Sequence, residues 1–111
     1  MVKDSVIEAL DFMNNCLKER GLHITKIILF GSYAQGQDTG ESDIDIVIVS
    51  KDFQDRDIFE RARLTKDAEI MTIRKYMIPL DIITLTPEEL EDENSLIAGY
   101  AKEGEVVYAA A

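Results

Sequence analysis

Between Asp43 and Ser50 the chain reads Asp-Ile-Asp-Ile-Val-Ile-Val-Ser, and few backbones can accommodate that string. The apolar, β-branched run predicts a strand. Side chains alternate across a strand, so Ile44, Ile46 and Ile48 share one face while Asp43, Asp45, Val47 and Val49 share the other. The isoleucines are driven into a core, which places two carboxylates side by side at the edge of an apolar strand. Two like charges there are unfavourable without a counter-ion. Mg²⁺ prefers oxygen ligands and commonly takes one or two carboxylates together with substrate phosphates.

The remaining segments predict a layered fold around this strand. Val6, Leu10, Met13 and Leu17 follow the spacing of one helical face, with Ser5 and Glu8 in the form of a capping box and Gly21 as a stop. Ile24 to Phe30 reads as a buried strand ended abruptly by Gly31-Ser32. Tyr33 to Gln37 has the composition of a first helical turn, and 38–42 is a polar loop. From about Asp55 to Tyr76 the composition is helical, with Ile58, Ala62, Ala68 and Met71 as inward candidates and Met77 as a further core residue. Leu80 to Thr84 or Leu85 predicts a third strand, again interrupted by an acid, Asp81. Thr86-Pro87-Glu88-Glu89 is a helix start with a Thr cap, proline at the first position and acids in the first turn. Asn94 or Ser95 restarts a helix that Gly104 closes, and Val106 to Tyr108 forms a short last strand. This alternation predicts an α/β fold: one domain over residues 1–111, with a small mixed β-sheet of about four strands packed with helices.

The charge balance narrows the partners. With 22 acidic against 12 basic residues the net charge is −10, which disfavours broad binding to phosphate backbones. No apolar run approaches the ~20 residues of a membrane helix, and the start Met-Val-Lys-Asp-Ser has no secretory pattern. A cytoplasmic, reducing location is expected. The single cysteine, Cys16, reads as a small core residue. His23 reads as a junction residue and Tyr33 as a packing residue. Arg56, Arg61, Arg63 and Lys66, interleaved with acids, read as a solvated helix face.

Three features point to chemistry at phosphorus. Gly31-Ser32 after a buried strand permits a tight turn and close backbone approach of a phosphate, with the serine hydroxyl as a donor. Asp43 and Asp45 lie on one face of the second strand. If the third strand neighbours it, Asp81 joins them, and three carboxylates form a two-metal site for in-line displacement. Gly31-Ser32-Tyr33-Ala34-Gln35-Gly36 followed by Ser42-Asp43-Ile44-Asp45-Ile46-Val47-Ile48 resembles the signature of the DNA polymerase beta-type nucleotidyltransferase superfamily. Leu80-Asp81-Ile82-Ile83 and Glu103-Gly104-Glu105-Val106-Val107-Tyr108 extend the resemblance to roughly residues 5–108. It is similar in particular to the minimal nucleotidyltransferases paired with helical HEPN-type proteins in toxin–antitoxin systems.

That resemblance implies metal ligation and catalysis by Asp43, Asp45 and Asp81, with Gly31 and Ser32 on the nucleotide. It also implies two Mg²⁺ ions and ATP or another nucleoside triphosphate as substrate. AMP would pass to a hydroxyl acceptor, for which a HEPN-type partner or another copy of this chain is the expected source. One departure stands out. Many relatives carry a basic residue where this chain has Gln35, so Lys51 or an arginine of the long helix is the candidate replacement charge. Gln35 also keeps open a second reading, a catalytically weak or inactive module that neutralises its partner by occlusion.

Overall fold

The computed structural model describes residues 2–110. Four strands, β1 (Ile24–Phe30), β2 (Ile44–Ser50), β3 (Leu80–Leu85) and β4 (Glu105–Ala109), form one sheet in the order β3-β2-β1-β4. β1 runs antiparallel to both β2 and β4, whereas β2 and β3 are parallel. The parallel pair requires a long crossover, and the helix α3 (Ile58–Tyr76) supplies it. The other helices are α1 (Asp4–Glu19), α2 (Ser32–Gln35), α4 (Pro87–Leu90) and α5 (Leu96–Lys102). Among the described residues no helix is long and apolar enough to cross a membrane.

Alternation along β2 divides the interior in two. Ile44, Ile46 and Ile48 join Ile27 and Leu29 of β1 in a core shared with Val6, Leu10, Met13 and Leu17 of α1 and Ala68 of α3. Val47 and Val49 point the other way, into a smaller cluster with Ile28, Leu85, Leu90 of α4 and Ala101 of α5. Cys16 and Tyr33 are buried in the first core, as expected.

Local chemistry sets the element ends. α1 closes with Gly21 in a left-handed conformation (φ 87°), the Gly21 amide donating to Lys18 O and the Leu22 amide to Leu17 O, a Schellman pair. Its start differs from expectation. The helix begins at Asp4 with Lys3 as N-cap and no side-chain cap bond, so Ser5 lies inside the first turn and forms no capping box. The boxes that do form are Asp57 with Glu60 at α3, which the sequence reading passed over, and Thr86 with Glu89 at α4. Ser95 caps α5 through the Ala98 amide.

The inward face of α3 also departs from expectation. Only Ala68 of the four candidates is buried, and its companions are Thr65 and Thr72. Ile58 is 72% exposed, and Ala62, Met71 and Met77 are exposed as well. The threonine hydroxyls donate to Ala62 O and Ala68 O on their own helix, which removes the penalty of burying them. Small inward residues let α3 sit close to the sheet and to α1.

Candidate active site

β1 ends at Phe30, whose partner on β2 is Asp45. The next residue, Gly31, has φ 76° and ψ −158°, a region essentially reserved for glycine. A Cβ on Gly31 would overlap the Asp45 carboxylate oxygen and stand 3.2 Å from its Cγ. Glycine is therefore required twice, by the backbone angle and by the carboxylate lying against it. The chain then makes one helical turn from Ser32 to Gln35, shorter than the expected Tyr33–Gln37. Gly36 terminates it at φ 70°, and the amides of Gly36 and Gln37 donate to Ser32 O.

Asp45 and Asp81 are direct partners in the parallel β2–β3 ladder. Paired positions project to the same side of a sheet, so both carboxylates stand on the face of Val47, Val49 and Leu85. Asp43 lies just before β2, whose first amide, that of Ile44, donates to Pro79 O at 2.8 Å and fixes the two strand starts together. Asp45 is half-buried, while Asp43 and Asp81 are exposed. Burial, followed by the charges of Asp81 and Asp43, pushes the Asp45 carboxyl above the usual range.

Among the described residues, none of the three acids forms an ion pair with Lys, Arg or His. Nor do any three acidic, His or Cys side chains converge on a single point. Carboxylates without a counter-charge repel one another, so the chain alone has reason to hold them apart. Their chemistry fits a hard divalent cation: unpaired oxygen donors on adjacent strand starts, with nothing soft or basic among them.

Beside Asp81 a groove of about 610 Å³ runs along β3, lined by all six of its residues and by α3. Two charged groups of α3, Arg61 and Glu69, face it. Arg61 Nη1 donates to Glu89 Oε1 at 2.7 Å and to Thr84 O at 3.3 Å, with its side chain only 13% exposed. It is thus the half-buried exception to the solvated helix face. Burial raises the Glu89 carboxyl, but hydrogen bonds from Arg61 and from the Thr86 amide, with the Arg61 charge, hold it below its usual range. Glu69 is held above its usual range by burial and then by Asp81. Arg61 is one of the long-helix arginines expected as a replacement charge, but Glu89 already pairs with it; Glu69 was not legible as a site group, because only the fold brings it to β3. Lys51, by contrast, follows Ser50 at the far end of β2 from Asp45, so it is not placed to replace the missing basic residue. Gln35 is exposed and lines a second cavity of about 670 Å³ with Gly31, Tyr100 and Glu103.

A four-stranded mixed sheet whose β1 runs into Gly-Ser, beside acid-bearing starts of β2 and β3, defines a class. The chain belongs to the nucleotidyltransferase domain family, whose model matches residues 10–106, and is a nucleotidyltransferase. It is 31% identical over 100 residues to a Methanocaldococcus jannaschii protein named as a candidate protein adenylyltransferase, the match spanning 88% of this chain and 67% of that protein. A toxin–antitoxin structure containing AMP-PNP is similar in fold, with a TM-score of 0.65 at 20% identity over 90% of this chain and 73% of that one. The complex of a tri-AMPylated Shewanella oneidensis HEPN toxin with its MNT antitoxin aligns at a TM-score of 0.50 and 17% identity, over 92% of this chain and 73% of that one.

Proposed function

We propose that this chain, acting as a single domain, transfers AMP from ATP to a hydroxyl group on a partner protein, and that Asp43, Asp45 and Asp81 carry the reaction. The observation behind this reading is the in-register pairing of Asp45 with Asp81 beside Gly31, whose missing side chain leaves room for the Asp45 carboxylate. Gly31 and Ser32 hold the β and γ phosphates through backbone amide and hydroxyl, and the glycine allows their close approach. Asp43 and Asp45, with Asp81 from the neighbouring strand, would hold the Mg²⁺ ions. When bound, the metal neutralises charge on the triphosphate and lowers the pKa of the attacking hydroxyl.

The acceptor hydroxyl loses its proton to water as its oxygen forms a bond to the α-phosphorus, the bond between that phosphorus and the α–β bridging oxygen breaks, and pyrophosphate leaves with the electron pair. Asp81, exposed on an outer strand, meets the acceptor, whereas half-buried Asp45 stays with the nucleotide. The names of the M. jannaschii relative and of the AMPylated Shewanella complex support a protein acceptor, and a helical HEPN-type toxin is the proposed partner.

Calorimetry of ATP with Mg²⁺ tests the nucleotide site, on the wild type and on the Asp43→Asn, Asp45→Asn double variant. Metal-dependent binding by the wild type alone is expected. Radiolabel from α-labelled ATP should then appear on the partner. Transfer that persists in the double variant would sink the assignment.

A further inference from the structure

The groove beside Asp81 is bounded by a free sheet edge. β3 is an outer strand, its other side paired with β2. Thr84 directs its carbonyl away from β2, since Arg61 reaches it from α3. By the two-residue period of a strand, Leu80 and Ile82 present their amide and carbonyl groups in the same outward direction. Such an edge is a template for another extended chain.

The groove wall opposite is apolar at Ile58, Ala62 and Ile97, with Ile58 strongly exposed, and acidic at Glu69. Arg61 is already neutralised by Glu89, while among the described residues Glu69 and Asp81 have no cationic partner. The groove thus offers backbone hydrogen bonds, apolar contact and unmet negative charge, and Asp81 lies within it.

We propose that this groove is the acceptor site, and that its occupant is an extended polypeptide segment pairing with the free edge of β3. The segment carries a Lys or Arg for Glu69 and presents a hydroxyl side chain to Asp81. This assignment rests on the nucleotidyltransfer reading above and adds the form of the acceptor to it. A small-molecule acceptor would leave the strand edge unpaired.

The test uses an array of decapeptides, each with one Ser, Thr or Tyr, incubated with α-labelled ATP, Mg²⁺ and the chain. Labelled peptides should be enriched in Lys and Arg, and Glu69→Gln should lose that enrichment. N-methylating alternate backbone amides of a labelled peptide should cut its labelling by roughly tenfold or more, the effect of removing a paired hydrogen bond. Ala62→Trp, which fills the groove, should do the same while ATP binding by calorimetry persists. Arg63→Trp, on an exposed position outside the groove, should label as wild type does. ATP binding combined with no labelled peptide, indifference to N-methylation, lack of basic enrichment, or an unimpaired Ala62→Trp would overturn the groove assignment alone. Failure of the wild type to bind ATP with Mg²⁺ would overturn both readings.

Discussion

The two faces of the sheet are built from the same strands and do opposite things. Beneath α1 and α3, Ile44, Ile46 and Ile48 are fully buried, and the layer is filled from one end of β2 to the other. Beneath α4 and α5 the cover thins along each strand. Val49 and Val47 are buried and Asp45 is half-buried; Leu85 is buried, Ile83 half-buried and Asp81 exposed. Each carboxylate thus stands on a backbone whose neighbouring side chains are locked into the opposite layer. Stability comes from one face and the proposed site occupies the thin end of the other, so repelling charges are tolerated without loosening the strand.

This division can be broken by substitution, and the largest effect falls on the filled face. Phe53 is completely buried there, and Phe53→Ala should cost about 3–5 kcal/mol in denaturant unfolding. A loss below 1 kcal/mol would contradict the filled layer. Asp45→Asn should instead reduce nucleotide transfer by roughly 100-fold or more, the order seen when a single charge-stabilising group is removed, with the native circular dichroism kept. Gly31→Ala joins the two regions, because the new methyl meets Asp45. Forcing that backbone angle on a non-glycine costs about 1–3 kcal/mol, and metal-dependent ATP binding should weaken with it. Thr86→Ala removes the cap of α4, on the thin face, and should cost about 1 kcal/mol.

The smallest effect concerns Asp45 again. Its carboxyl titrates higher in the fold than in the unfolded chain, so the folded protein binds more protons between the two values. Its contribution is fully present below the ordinary aspartate range and is lost as pH rises through the raised value. Asp45→Asn should therefore melt above wild type at neutral pH. The gap should close as pH falls below the usual aspartate range, and it should also shrink when Mg²⁺ is added to wild type. A variant that melts lower at neutral pH would show that Asp45 is stabilised by a partner.

Much of the thin face was legible because its signals are local. The bounds of β1 and β3, the Thr86 cap and the Ser95 restart depend on neighbours within a few residues. The Asp-Ile-Asp alternation assigned faces directly, and strand adjacency alone decided whether Asp81 would join. The filled face was harder to read. α3 turns Thr65, Ala68 and Thr72 inward because small side chains suit a close contact, whereas hydrophobicity pointed to Ile58 and Met71. The roles open to Arg61 and Glu69 depend on a crossover returning beside β3, which no local pattern encodes.

The seating of β4 against β1 has a consequence for how the molecule is made. Gly104 approaches so closely that a Cβ there would stand 2.5 Å from Leu29 O, and the strand that follows pairs with β1 from the other end of the sequence. Local elements form readily, but this pairing has a high loop-closure cost. During synthesis the side of β1 that receives β4 therefore remains an open edge until β4 emerges from the ribosome. A nascent chain stalled short of Glu105 would present that unpaired strand edge to its neighbours.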